Sequence, residues 1–118
     1  DYGCNTFVGD NCYFNFNAVF LDCAPIRIGS NVMAGPGTSF FTALHPLLAE
    51  ERNARIDETG RRYNLEYAKP ITIEDDVWLG AVIGAGSVVT RDIPPGVVAA
   101  GVPCRVIRPI TEADRMMV

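Results

Sequence analysis

The stretch IGSNVM, Ile28–Met33, decides how this chain is read. It runs aliphatic residue, glycine, two turn-forming residues, a β-branched residue, then a larger side chain. The same order recurs as VGDNCY (Val8–Tyr13), IEDDVW (Ile73–Trp78) and IGAGSV (Ile83–Val88). Aligned, the first column holds Val8, Ile28, Ile73 and Ile83, and the second Gly9, Gly29, Glu74 and Gly84. The next two columns are Asp10-Asn11, Ser30-Asn31, Asp75-Asp76 and Ala85-Gly86, which are small or suit tight turns, including left-handed backbone. The fifth column, Cys12, Val32, Val77 and Ser87, is small or β-branched. Poorer copies, FNFNAV (Phe14–Val19) and AGPGTS (Ala34–Ser39), lie between.

The period has a direct physical reading. One aliphatic in six points inward, a turn follows, and then a short strand. Three such units close a triangular coil, and stacked coils bury a continuous aliphatic column. A helix needs apolar spacing near 3.6 and a hairpin sheet needs alternation; neither fits as well. The expected fold is therefore all-β, a parallel β-helix. The pattern slips twice. Ile28 lies twenty residues after Val8, two more than three hexads, and Ile83 lies ten after Ile73. Phase is lost at Leu79–Val82, where the chain either bulges or lacks a segment.

Between the hexads lies a polar excursion, about residues 42–70, with His45, the only histidine, near its start. The C-terminal cap is expected at about residues 93–118, and with 118 residues the whole chain, 1–118, reads as a single domain. Hydrophobic residues make up 48% and charged residues 20%, which argues against disorder. The net charge of −4 and the lack of a basic stripe argue against a nucleic-acid binder. An anionic ligand would need a local cluster, for which Arg91, Arg105 and Arg108 stand ready. No apolar run approaches the roughly 20 residues that span a bilayer, and no secretion signal is visible. The four cysteines form no C-x-x-C pair. They read as free thiols in a reducing cytoplasm.

DYGCNTFVGDNCYFNFNAVFLD, APIRIGSNVMAGPGTSFFTALHPL, EYAKPITIEDDVWLG and VIGAGSVVTRDIPPGVVAAGVPCRVI together resemble the hexapeptide-repeat acyltransferases. The nearest resemblance is to the maltose, galactoside and nodulation-type sugar O-acetyltransferases. It implies a left-handed parallel β-helix, a homotrimer with active sites between subunits, and acetyl transfer from acetyl-coenzyme A to a sugar hydroxyl. Such relatives carry a helical segment before the DYG stretch and about one more coil between their VWIG and VIGAGS motifs. Here Gly80 runs almost directly into Ala81-Val82-Ile83.

Acyl transfer to a hydroxyl needs a base, and imidazole suits the role. The resemblance assigns it to His45, in the T-x-x-H-P setting of Thr42–Pro46. It sets Asn15 against the reacting groups and Asp22 against acceptor hydroxyls, with Glu66 near both the acceptor and the imidazole. An acidic residue stands in some relatives where this chain has Cys23. Tyr13 and Tyr67 offer stacking faces for a sugar ring, Asn17 fits a turn ladder, and Trp78 reads as packing. At the coenzyme end, Ala85 and Gly86 leave room for a pantetheine arm and Thr90 and Arg91 follow at the coil corner. This reading sets Pro103 against the adenine and Arg105 or Arg108 against its phosphates; the same IPP and GVP stretches also serve to end the solenoid and cap its open edge. The run Glu50–Arg62 reads as a solvated loop with local salt bridges. No metal is expected, because hydration chemistry on such a fold needs three histidine ligands. Two other readings remain: the same fold acting on an antibiotic hydroxyl or small amine, and a non-catalytic scaffold whose shortened coil holds no coenzyme A.

Overall fold

The computed structural model describes residues 1–80 and 86–116. Its first coil is made of β1 (Thr6–Val8), β2 (Tyr13–Phe14) and β3 (Val19–Leu21). The second is β4 (Ile26–Ile28), β5 (Met33–Ala34) and β6 (Ser39–Phe41). An excursion follows: β7 (Ala43–Leu44), the short helix α1 (Ala49–Arg52), the hairpin β8 (Arg55–Ile56) with β9 (Arg62–Tyr63), and β10 (Tyr67–Ala68). Coiling resumes in β11 (Ile71–Ile73), β12 (Trp78–Gly80) and β13 (Val88–Val89). It ends in β14 (Val97–Ala100), against which β15 (Arg105–Pro109) turns back.

Strands from successive coils stack into three parallel faces: β1-β4-β11, β2-β5-β12-β14 and β3-β6-β13, here called faces A, B and C. The fold is a left-handed parallel β-helix. β15 closes face B antiparallel, so its last parallel strand is not left as an open edge. The first column of the repeat is real in space: Val8, Ile28 and Ile73 are register partners on face A, and Ile73 bridges to Ile93 in the next coil. Ile83, the fourth member of that column in the sequence, lies outside the described residues, as do Ala81 and Val82 of the phase break. Between coils the lumen is filled by Ile26, Val32, Ile71, Val77, Leu79 and Val89. Phe20 stacks on Phe40 at 4.9 Å, and Phe14 meets both edge-on.

The two residues in excess of three hexads now have a cause. Each coil advances twenty residues, as Thr6 with Ile26, Tyr13 with Met33 and Val19 with Ser39 show. The corner between faces A and B is turned by a left-handed residue in every coil: Asn11 (φ 56°), Asn31 (58°), Asp76 (60°) and Gly96 (65°). Asparagine, aspartate and glycine are the residues that bear this backbone at least cost. Their side chains also link the coils. Asn11 Nδ2 donates to Asn31 Oδ1 at 3.4 Å, and Asn31 Nδ2 donates to Asp76 Oδ1 at 3.0 Å. Asn17 (φ 62°) and Gly37 (φ 72°) turn the corner between faces B and C in the same way. The third coil departs there. Six residues separate Met33 from Ser39 on faces B and C, but ten separate their partners Trp78 and Val88.

The run Glu50–Arg62 differs from its sequence reading. It holds α1 and most of a hairpin, and no salt bridge forms in it among the described residues. Asp57 Oδ1 instead accepts hydrogen bonds from Thr59 N, Thr59 Oγ1 and Arg61 N, and Gly60 takes φ 84°, so backbone donors hold the turn. The Thr59 hydroxyl first, and then the Arg61 amide, hold the Asp57 carboxyl below its ordinary range.

Asn31→Ala places an ordinary Cβ in left-handed backbone and removes two ladder bonds. A loss of about 1–2 kcal/mol in urea unfolding is expected, and a smaller one for Asn31→Gly, which keeps the turn free of strain.

Candidate active site

His45 follows directly on β7, which pairs antiparallel with β10: Ala43 with Ala68, and Leu44 with Tyr67. Glu66 and His45, 21 apart in sequence, are the next residues beyond that paired register, so both sit at the root of the excursion. Both side chains are exposed.

Thr42 fixes that root. It is buried, accepts a hydrogen bond from Ala24 N at 3.1 Å through its hydroxyl, and donates that hydroxyl to the Leu21 carbonyl. Its own carbonyl accepts from Lys69 N at 3.0 Å, closing the excursion on itself. The outgoing strand, the returning strand and the first coil therefore meet at one threonine. In the sequence Thr42 was only the opening letter of the histidine motif; a hydroxyl aimed inward at another coil has no signature in sequence spacing.

Asp22 lies one residue beyond β3 and is fully buried (0% exposed). Its Oδ1 accepts from Tyr2 N at 2.7 Å, and its Oδ2 from Asn5 N at 3.0 Å and Thr6 Oγ1 at 3.2 Å. Burial pushes its carboxyl up, but these hydrogen bonds outweigh burial and bring it down to about 2. Both oxygens are thus engaged by the segment that enters the first coil. Its neighbour Cys23 is half-buried. Asn15, at the corner after β2, accepts from Phe16 N at 2.7 Å, and Tyr13 stands exposed on face B.

Thr90, Arg91, Pro103 and Arg105 come together. With Asp92 and Cys104 they line a cleft of about 460 Å³ between the corner after β13 and the turn joining β14 to β15. Ser87, fully buried, holds that turn: its hydroxyl donates to the Gly80 carbonyl and accepts from Gly101 N at 3.3 Å. Burial pushes the Cys104 thiol up, partly offset by a hydrogen bond with Ser87. β13 neighbours β6 on face C, with Val89 beside Phe40. The cleft therefore begins about one strand spacing, ~4.8 Å, from the strand that leads to His45.

Arg108 is engaged elsewhere. Its guanidinium meets Asp114 in two parallel hydrogen bonds of 2.7 and 2.8 Å. That bond holds the Asp114 carboxyl at about 2, helped by Thr111 N, and raises Arg108. Gly86 is small for a packing reason: a Cβ there would collide with the Gly37 carbonyl of the preceding coil. Ala85 lies outside the described residues. Trp78 packs its indole against Gly80, where any Cβ would strike the ring. None of His45, Asn15 and Glu66 lines the 460 Å³ cleft or the cavities of about 590, 550 and 290 Å³.

Among the described residues, no helix is long and apolar enough to cross a membrane, and no group of three His, Cys, Asp or Glu could hold a metal ion.

No protein-family model matches the chain. It is 42% identical to the galactoside O-acetyltransferase of Escherichia coli strain K12, over 97% of this chain and 59% of that protein. A solved galactoside acetyltransferase in complex with coenzyme A superposes with a TM-score of 0.69 at 42% identity, covering 96% of this chain and 59% of the other. The maltose O-acetyltransferase of Clostridium difficile 630 superposes at 0.65 with 42% identity, covering 95% and 63%. The chain thus spans about three fifths of the length of these proteins. The Escherichia coli alignment runs over 128 residues against a chain of 118, so that protein carries a stretch with no counterpart here.

Two outcomes are expected. Thr42→Val leaves the buried Ala24 N–H without an acceptor, which costs about 1–3 kcal/mol in denaturant unfolding. Asp22 has a folded-state pKa of about 2 against 3.8, so its contribution to stability is complete above about pH 4 and is lost as pH falls toward 2. The thermal midpoint should fall across that window. Asp22→Asn should unfold at a lower temperature at pH 5 and depend less on pH below it.

Proposed function

Since this β-helix belongs with the hexapeptide-repeat acetyltransferases, we propose that it transfers an acetyl group from acetyl-coenzyme A to a hydroxyl of a sugar or glycoside. The observation that carries the reading is the 460 Å³ cleft, in which Thr90, Arg91, Pro103 and Arg105 converge at the end of β13, the strand that lies beside β6, from which the chain runs on to His45. Two guanidiniums with a proline face suit a nucleotide carrying phosphates. Arg105 and Arg91 take the phosphates. Arg108, already clamped by Asp114, stays with its carboxylate.

His45 removes the proton from the acceptor hydroxyl as its oxygen attacks the thioester carbonyl. The tetrahedral intermediate collapses, the carbon–sulfur bond breaks, and the imidazolium returns the proton to the departing thiolate. Glu66, across the β7–β10 register, orients the imidazole, and backbone donors stabilise the oxyanion. Asn15, Asp22 and Tyr13 remain on the acceptor side of this reading. Asp22 would act there through the backbone it holds, since its oxygens are already engaged.

A single copy gives His45 no enclosing wall. A base at an open surface leaves substrate solvated, which supports a site completed by a neighbouring subunit in a homotrimer. Four free cysteines suit a reducing, cytoplasmic setting.

The test is release of coenzyme A from acetyl-coenzyme A with a panel of galactosides, glucosides and maltose. Sugar-stimulated release should fall by about 10²–10⁴ in His45→Ala, while coenzyme A still binds. Arg105→Ala should raise KM for acetyl-coenzyme A and leave KM for the sugar unchanged. Turnover that survives His45→Ala would remove the assigned base, and absence of turnover with any acceptor would favour a scaffold.

A further inference from the structure

The cleft read above as the coenzyme end holds one group that a site for phosphates alone does not explain. Asp92 lines it together with Arg91 and Arg105, and all three residues are exposed. Among the described residues the carboxylate forms no salt bridge with either guanidinium. A carboxylate repels phosphate, so this one needs a different part of the ligand.

One of its oxygens is structural. On face A the fourth coil meets the third only where Ile93 bridges to Ile73. The Thr72 carbonyl accepts from Ile93 N at 3.0 Å. The Thr72 amide donates to Oδ1 of Asp92 at 2.8 Å, where a longer strand would supply a main-chain carbonyl. That bond pins the side chain, and an asparagine would serve it as well through its own oxygen. The second oxygen, Oδ2, accepts no hydrogen bond from the chain among the described residues. Asp22 and Asp114 differ: both oxygens of each are engaged within the chain.

The cleft therefore offers two guanidiniums for anionic groups, an apolar face at Pro103, and one pinned, charged acceptor. A nucleotide matches that set with its phosphates, its flat ring and a donor on the nucleoside. The nucleoside of coenzyme A carries donors at the adenine 6-amino group and the ribose 2′-hydroxyl. The hydroxyl lies next to the 3′-phosphate, and a carboxylate close enough to accept from it would stand about 5 Å from a like charge. The amine lies at the far edge of the base, away from the phosphates.

We infer that Asp92 selects adenine in this cleft. Its Oδ2 accepts a hydrogen bond from the exocyclic amine, while Pro103 lies against the ring and Arg91 and Arg105 hold the phosphates. The inference rests on the reading of the cleft as the coenzyme site and adds the base that the site prefers. Asp92 is a specificity-determining residue, remote from the proton transfer assigned to His45. A base without the amine leaves a charged acceptor unpaired, which is the costly case for a hydrogen bond to a charged group.

The test is isothermal titration calorimetry of the full chain with adenosine 3′,5′-bisphosphate and with purine riboside 3′,5′-bisphosphate, which lacks only the 6-amino group. The wild type should bind the adenosine compound roughly tenfold to a hundredfold more tightly. Asp92→Asn keeps an oxygen for Thr72 N but turns an amide donor toward the amine, so it should lose that preference. A wild type that binds both probes equally would overturn the inference by itself, as would an Asp92→Asn variant that keeps the wild-type ratio. The 2′-deoxy form of the adenosine probe should bind as the ribose form does. A loss there that vanishes in Asp92→Asn would move the contact to the ribose and overturn the base assignment. Sugar-stimulated coenzyme A release is followed on the same samples. If the wild type ignores the amine yet transfers acetyl, the inference fails and the transferase reading stands. If the amine is read through Asp92 but no acceptor is acetylated, the transferase reading fails and the inference stands. If no bisphosphate binds, the cleft is not a nucleotide site and the inference falls with it.

Discussion

Everything in this molecule hangs on a backbone angle. A β-strand left to itself continues straight; to become the side of a coil it must turn sharply and return to register one strand spacing higher. The left-handed residues at Asn11, Asn31, Asp76 and Gly96 supply that turn at the same place in each coil. The ladder through Asn11, Asn31 and Asp76 keeps the corners aligned, so the faces stack in register. Alignment is what buries Ile28 beside Ile73 and Ile26 beside Ile71. Without the turn there is no lumen, and without the lumen no hydrophobic stabilisation.

On that rigid stack, the proposed chemistry sits where regularity is suspended. The excursion interrupts the winding after the second coil, and the cleft forms where the winding ends and β15 reverses. Both interruptions are tied down by single buried hydroxyls. Thr42 links the excursion to the coil beneath it, and Ser87 links the terminal turn to the coil before it. A hydroxyl suits this work because it can donate to one strand and accept from another in the same small space.

The sequence announces the coils because their physics is periodic: each hexad repeats one aliphatic and one turn, and repetition survives without any knowledge of long-range contacts. It also shows His45, since a single histidine beside a proline stands out against a regular background. What stays hidden depends on partners far apart in the chain. Asp22 looks like a ligand until the donors to its carboxylate are traced to the backbone of Tyr2 and Asn5, which no side-chain pattern encodes. Arg108 looks like a phosphate anchor until Asp114 is found six residues on, a spacing that signals nothing outside a helix. The strands of the excursion are two residues long, too short for alternation to be seen. Gly86 was read for the ligand space it leaves, yet the backbone of Gly37 already occupies that side.

The hydrogen bond from Lys69 N to the Thr42 carbonyl has an evolutionary consequence. It joins the two ends of the excursion at the edge of the prism, so the coils above and below see a closed junction whatever lies beyond it. Residues 47–66 can then lengthen, shorten or change character as a cassette, with the barrel of coils unaware of the exchange. A lineage can rewrite the cassette while the junction, and the strand that leads to His45, stay as they are. Loop and fold are inherited on separate terms.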